Sequence, residues 1–185
     1  MLSAAKDLIY PNFRASKAMR TALDADPAQL DRHEQNFVEN VRKHGWFGTY
    51  VGADGDGPGF GYTTGIWLKF GFPELVVFSL SRQVAHNTFW YMYRGLEAGK
   101  HFAIGEPEDD IFKNVAAVLL PVSPQEYPAH LGWSRWFYGG DQFQCLQLVF
   151  PDPSGCFPWS DRASDSFRAG QPDLTAGNWF GLRNR

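Results

Sequence analysis

The run ELVVFSL, Glu74–Leu80, constrains this chain more than any other stretch, because Leu75, Val76, Val77 and Phe78 are apolar without a break. A β-strand sends successive side chains to opposite faces, so an unbroken apolar run describes a strand covered on both sides. Pro73 opens it, at a position where a missing N–H costs the ladder little. The rest of the chain must therefore supply neighbouring strands and helices to cover two faces.

Neighbouring strands are legible. The segment WFGTYVG, the turn-rich GADGDGPG and FGYTTGI read as two antiparallel strands joined by a loop. NVAAVLLPV reads as a buried strand ended by Pro121, and FQCLQLVF as the last strand. A helix is expected from Asp26-Pro27, with Leu30, Phe37, Val38 and Val41 on one side and a stop at Gly45. Ser81 caps a second helix running to about Glu97, with Gly99 as its C′ residue. The segment SPQEYPAHLGWSRWFYG is a mostly helical connection that starts with a Ser123–Glu126 capping box and is disturbed by Pro128. These elements predict an α+β fold: a single domain with a mostly antiparallel or mixed sheet of about five strands packed with helices. Residues 1–25, interrupted at Pro11, read as an N-terminal appendage, 26–160 as the globular domain, and 161–185, rich in Ser, Asp, Asn and Gly, as an extended C-terminal tail.

Charge and hydropathy narrow the function classes. With net charge −3 and no Lys/Arg run longer than Arg42-Lys43, the chain lacks the footprint needed to neutralise phosphates, so nucleic acid is not an expected partner. No stretch of about 18 apolar residues occurs, and the first twenty residues mix charge with apolar positions, so neither a membrane span nor a signal peptide is expected and the protein reads as cytoplasmic. Cys145 and Cys156 would then remain thiols. Aromatic residues reach 16%, more than a core of this size needs, which leaves rings for a pocket or an interface.

Three stretches, GWFGTYVG, GFGYTTGIWLKFGFPELVVFSL and LQLVFPDPSGCFPW, together with Asn87 inside the second helix, resemble the bacterial family catalogued as domain of unknown function 4262. The resemblance spans about Gly45 to Trp159. Its most specific pieces are the YTTG strand leading to PEL and the PD-x-x-G ending, and it implies no activity. A looser likeness to the suppressor-of-fused superfamily, several of whose bacterial members look like toxin-binding immunity proteins, implies a protein partner.

The chemistry the residues could support is limited. His33, His44, His86, His101 and His130 are scattered, with no HxH or HExxH spacing, so a divalent metal would need distant ligands such as His86, His101 and His130 to converge. The glycine-rich GPGFGYTTG runs into a strand rather than a helix N-terminus, and Thr64 stands where the dinucleotide fingerprint needs Gly or Ala, so a nucleotide cofactor is not expected. No GxSxG elbow is present, and Cys156 reads as a small buried hydrophobe.

Strand parity suggests where a site would form. Gln147 is the polar member of an apolar row, Tyr62 and Thr64 share a face of FGYTTGI, and prolines stiffen the loop that carries Asp152 and Trp159. If these elements adjoin, Tyr62, Thr64, His86, Asn87, Gln147, Asp152 and Trp159 line one pocket. Tyr62 and Trp159 would then be walls, Asn87 and Gln147 orienting groups, and Asp152 or His86 a base or metal ligand. Two functions stay open: a domain binding a small ligand or a protein partner through an aromatic-lined pocket, and a metal-assisted hydrolase of a small ester, lactone or amide.

Overall fold

The computed structural model describes residues 19–55, 57–177 and 179. Most of the 1–25 appendage lies outside these residues, although Met19, Ala22 and Leu23 pack against the core. Six strands form one mixed sheet in the order β1-β2-β3-β6-β5-β4: β1 (Phe47–Val51), β2 (Phe60–Thr64), β3 (Glu74–Phe78), β4 (Pro107–Glu108), β5 (Ala117–Pro121) and β6 (Cys145–Val149). The sheet has one strand more than expected, the two-residue β4 within the acidic loop EPEDD. All neighbours are antiparallel except β3 and β6, which run parallel because a helical crossover separates them in sequence.

Helix α1 (Arg32–His44) starts later than the Asp26-Pro27 signal suggested. Asp26 caps only a 3₁₀ turn over Pro27–Gln29, whereas Asp31 forms a full capping box with Glu34, which satisfies more of the first N–H groups. Gly45, at φ 81, closes α1 in the left-handed region. A five-residue helix α2 (Ile66–Phe70) follows β2 directly, and α3 (Arg82–Glu97) is capped by Ser81 as expected, with Gly99 at φ 80 just beyond it. The connection after β5 is a 3₁₀ turn (Pro124–Glu126), α4 (Tyr127–His130) and α5 (Gly132–Tyr138); Ser123 makes no capping bond to the backbone there.

Both faces of β3 are indeed covered. Leu75 and Val77, with Leu146 and Leu148 of β6, meet Ala85, Phe89 and Met92 of α3 on one face. Val76 and Phe78, with Tyr62 and Cys145, meet Phe37 and Val41 of α1 and Phe137 and Tyr138 of α5 on the other. Each fully buried Leu, Phe or Met in these layers contributes about 1.5–3 kcal/mol. The second face continues over β5 and β6, where Val118, Leu120 and Val149 pack under Phe157, Trp159 and Trp179.

Beyond Asp161, where the composition suggested extended coil, α6 (Asp165–Gly170) forms and the chain returns to the sheet. Gln171 caps the end of β6 through its side-chain amide, donating to the Phe150 carbonyl at 3.0 Å and accepting from the Phe150 N–H at 3.2 Å. Leu174 and Thr175 are buried. Polar composition predicted coil because the segment is ordered by amide side chains together with a few widely spaced apolar residues, Phe167, Leu174 and Trp179, that form no periodic pattern.

Candidate functional site

The YTTG strand and the PEL segment meet at Glu74, the acid that opens the apolar β3 run. Its carboxylate is fully buried and accepts from the Thr63 hydroxyl (2.6 Å), the Gly65 N–H (2.7 Å), the Trp67 N–H (3.0 Å) and the Tyr138 hydroxyl (2.5 Å). The strand YTTG and the PEL segment are thus joined by one side chain that fixes the turn from β2 into α2. Burial pushes the Glu74 carboxyl above its ordinary range against the pull of these four donors. Tyr138 is pushed well above its ordinary value by burial and by the adjacent Glu74, so it stays a protonated donor. Burial, with Glu74 adding, raises the Cys145 thiol in the same way, and both cysteines are free and buried. This node is closed to solvent and serves as an anchor.

The seven residues proposed from strand parity do not come together. Val76 pairs with Gln147 and Tyr62 pairs with Val76, so Tyr62 and Gln147 share the face that α1 and α5 cover. His86 and Asn87 lie on α3, which covers the opposite face. Parity located Gln147 correctly but carried no information about which face the crossover helix would take. Thr64 bonds Ser134 at 2.7 Å, and the Tyr62 hydroxyl accepts from the Trp133 N–H at 3.1 Å, so both hold α5. Asn87 is exposed and accepts from Gln83 at 2.9 Å. Asp152 accepts from the N–H groups of Ser154 (2.8 Å) and Cys156 (2.9 Å), fixing the PDPSG turn. Trp159 stacks on Phe157 at 4.6 Å and meets Trp179 edge-on at 5.5 Å, plugging the end of the second face.

Gln147 has a definite structural task. Its amide donates to the Pro172 carbonyl at 2.7 Å and accepts from the Leu174 N–H at 3.1 Å, which holds the C-terminal segment on the sheet. Gln147→Leu leaves that buried N–H and carbonyl without partners, so a loss of about 2–3 kcal/mol is expected, with faster limited proteolysis after residue 160 than in the parent chain. Equal cleavage rates would show that the segment is held by its apolar contacts instead.

The three histidines considered as metal ligands also lie apart. His86 sits beside the Tyr50 hydroxyl at 3.1 Å, His101 is exposed near the mouth of a cavity walled by Phe70, Phe72 and Phe102, and His130 packs against Phe60 and Phe78 on the other face. Among the described residues no three His, Cys, Asp or Glu side chains gather as a metal site.

A concavity forms elsewhere. A cleft of about 540 Å³ opens where the β1–β2 hairpin meets the corner between β3 and α3. Val51, Phe60 and Leu80 give it apolar walls, and Ser79, Ser81 and Arg82 give it polar groups; among the described residues no acid lines it. Tyr50 shapes its floor: a Cβ on Gly61 would come within 2.9 Å of the Tyr50 ring, so the ring lies flat on the sheet only because Gly61 has none. Burial pushes the Tyr50 hydroxyl up to about 12, with Arg82 pulling the other way. The Arg82 guanidinium stands 5.2 Å from the centre of that ring and has no acidic partner among the described residues. Ser79 occupies the strand-to-helix turn at φ 56, a conformation that costs a non-glycine residue about 1–3 kcal/mol. Its hydroxyl donates to the Gly170 carbonyl at 2.6 Å, and no imidazole among the described residues bonds to it, so it has no base to activate it.

Sequence reasoning missed Tyr50, Ser79 and Arg82. The usable signals were the glycines at 48 and 61, which leave room for a large ring, and a basic residue at the first position of α3, where the dipole disfavours a cation.

A family model described as "Domain of unknown function (DUF4262)" matches residues 40–164, more than half of the chain. No curated protein and no solved structure matches it.

Proposed function

The chain belongs to the DUF4262 family, and we propose that it is a binding domain that takes its ligand in the cleft between the β1–β2 hairpin and the β3–α3 corner. The observation carrying this reading is the pairing of apolar walls with the Arg82 guanidinium, held over the Tyr50 ring, in a cleft that among the described residues has no acidic lining and offers that guanidinium no acidic partner. Such a cleft suits a ligand with an apolar body and a carboxylate or similar anionic group, because an arginine meets a carboxylate through two parallel hydrogen bonds. The hydrolase reading has less support, since Ser79 lacks a base and the candidate ligands His86, His101 and His130 lie apart.

An NMR-detected screen of small carboxylates against matched amines tests this function. Carboxylates are expected to shift the amide signals of Gly52, Gly59, Leu80 and Ser81. Arg82→Ala is expected to weaken those carboxylates by about tenfold, equivalent to about 1.4 kcal/mol, with an unchanged melting midpoint because Arg82 is exposed. Shifts confined to the cavity walled by Phe70, Phe72 and Phe102 would place recognition elsewhere.

A further inference from the structure

We propose that the open edge of β1 is a docking strand for an extended acidic peptide segment of a protein partner, which pairs with β1 and reaches into the cleft. This inference rests on the cleft being the recognition site and names what enters it.

Four observations carry it. First, among the described residues β1 ends the sheet, with β2 as its one neighbour. Second, the concavities form a continuous trough along it: Phe47, Gly48, Thr49 and Tyr50 line a hollow of about 220 Å³, and Tyr50, Val51, Gly52 and Ala53 line the 540 Å³ cleft. The two meet at Tyr50 and Arg82, so consecutive residues border the whole path, which at about 3.3 Å per residue runs for roughly 20 Å. Third, the smaller hollow is walled by Phe37 of α1 and Trp133 of α5 on one side and by Arg82 of α3 on the other. An added strand would send alternate side chains to these two walls, as in β-strand addition. Fourth, among the described residues the edge is unguarded. Sheet edges are usually blunted by lysine, proline or a bulge, whereas FGTYV contains no charge and no proline, and Val51 is 42% exposed. The chemistry of the occupant follows from charge: Arg82 lines both parts of the trough and among the described residues no acid does, so acidic side chains are favoured over basic ones.

The test uses the full chain and three synthetic eight-residue peptides with blocked ends: alternating Val and Glu, alternating Val and Lys, and the Val/Glu peptide with a central proline. Amide hydrogen exchange and titration calorimetry are the readouts. The Val/Glu peptide is expected to slow exchange within Phe47–Val51 by at least about tenfold and to bind about tenfold more tightly than the Val/Lys peptide. The proline is expected to abolish the protection, and Arg82→Gln to remove the preference for acid. Three results overturn strand docking: no slowed exchange in β1 with any peptide, equal protection by the acidic and basic peptides, or edge amides already protected in the peptide-free chain by a second copy or a terminal segment. If the acidic peptide shifts Gly59, Leu80 and Ser81 without slowing exchange in β1, the cleft stands and strand docking falls. If nothing shifts, both fall.

Discussion

Glu74→Ala is expected to destabilise the protein by on the order of 4 kcal/mol, measured by urea unfolding at neutral pH. The substitution strands the Gly65 and Trp67 N–H groups, which cannot turn towards other acceptors, and frees the Thr63 and Tyr138 hydroxyls in a dry interior. Each buried donor left unmade costs about 1–3 kcal/mol, and the space vacated by the side chain adds to the loss. Glu74→Gln separates the hydrogen bonds from the charge. Its amide oxygen can take the three donors that meet Oε1, while its NH₂ faces Thr63 Oγ1, which already accepts from the Leu75 N–H. A loss of only about 1–2 kcal/mol is expected for Glu74→Gln. The two proteins should also differ in pH dependence. The native carboxyl holds its proton above the ordinary value of 4.5, so the native state binds more protons than the unfolded chain as pH rises past that value. Stability linked to Glu74 is therefore full below 4.5 and lost as pH climbs through the raised native value. The parent chain should lose ground against Glu74→Gln across that window. An advantage that grows with pH would mean that the donors outweigh burial.

Gly65→Ala should cost about 3–5 kcal/mol, combining backbone strain with a displaced neighbour. Gly65 sits at φ 114, and a Cβ there would lie 2.7 Å from the Gly45 carbonyl oxygen and 2.9 Å from the Trp46 Cα, both backbone atoms that cannot swing aside. The same shift would pull the Gly65 N–H from Glu74. Gly132→Ala is the control: it opens α5, meets nothing within 4 Å, and should be neutral or stabilising by about 0.4–1 kcal/mol. Similar midpoints for the two variants would show that the turn from β2 into α2 relaxes without cost.

The elements that the sequence displayed were those with a long period. The unbroken run at Leu75–Phe78, the alternation in FQCLQLVF and the caps at Ser81 and Gly99 each describe a local pattern, and each element formed where it was read. The short elements were hidden for the same reason. Two residues of β4 and five of α2 are too few to repeat a strand or helix pattern twice, and the alternation of FGYTTGI runs smoothly into Ile66 although the strand stops at Thr64. In the interior, Glu74 looked like the start of an apolar strand, yet an acid at that position must find donors once buried. Its partner Tyr138 lies 64 positions away, and only the packed structure brings them together. In the stiff FPDPSGCFPW loop, Asp152 anchors the turn and Trp159 plugs the end of the second face, contacts that the sequence alone did not bring out. Parity placed Gln147 on a face but could not say that α3, with His86 and Asn87, would cover the other one.

The division of labour between anchor and cleft is tested most directly by titrating the blocked Val/Glu peptide into Glu74→Gln and Arg82→Gln and recording the melting midpoint of each. Glu74→Gln should keep the parent affinity within about twofold while its midpoint falls, and Arg82→Gln should keep its midpoint while affinity drops by about tenfold. The reverse pattern, with Glu74→Gln losing the peptide at full stability and Arg82→Gln binding unchanged, would contradict the account and move recognition from the β1 edge to the motif residues themselves.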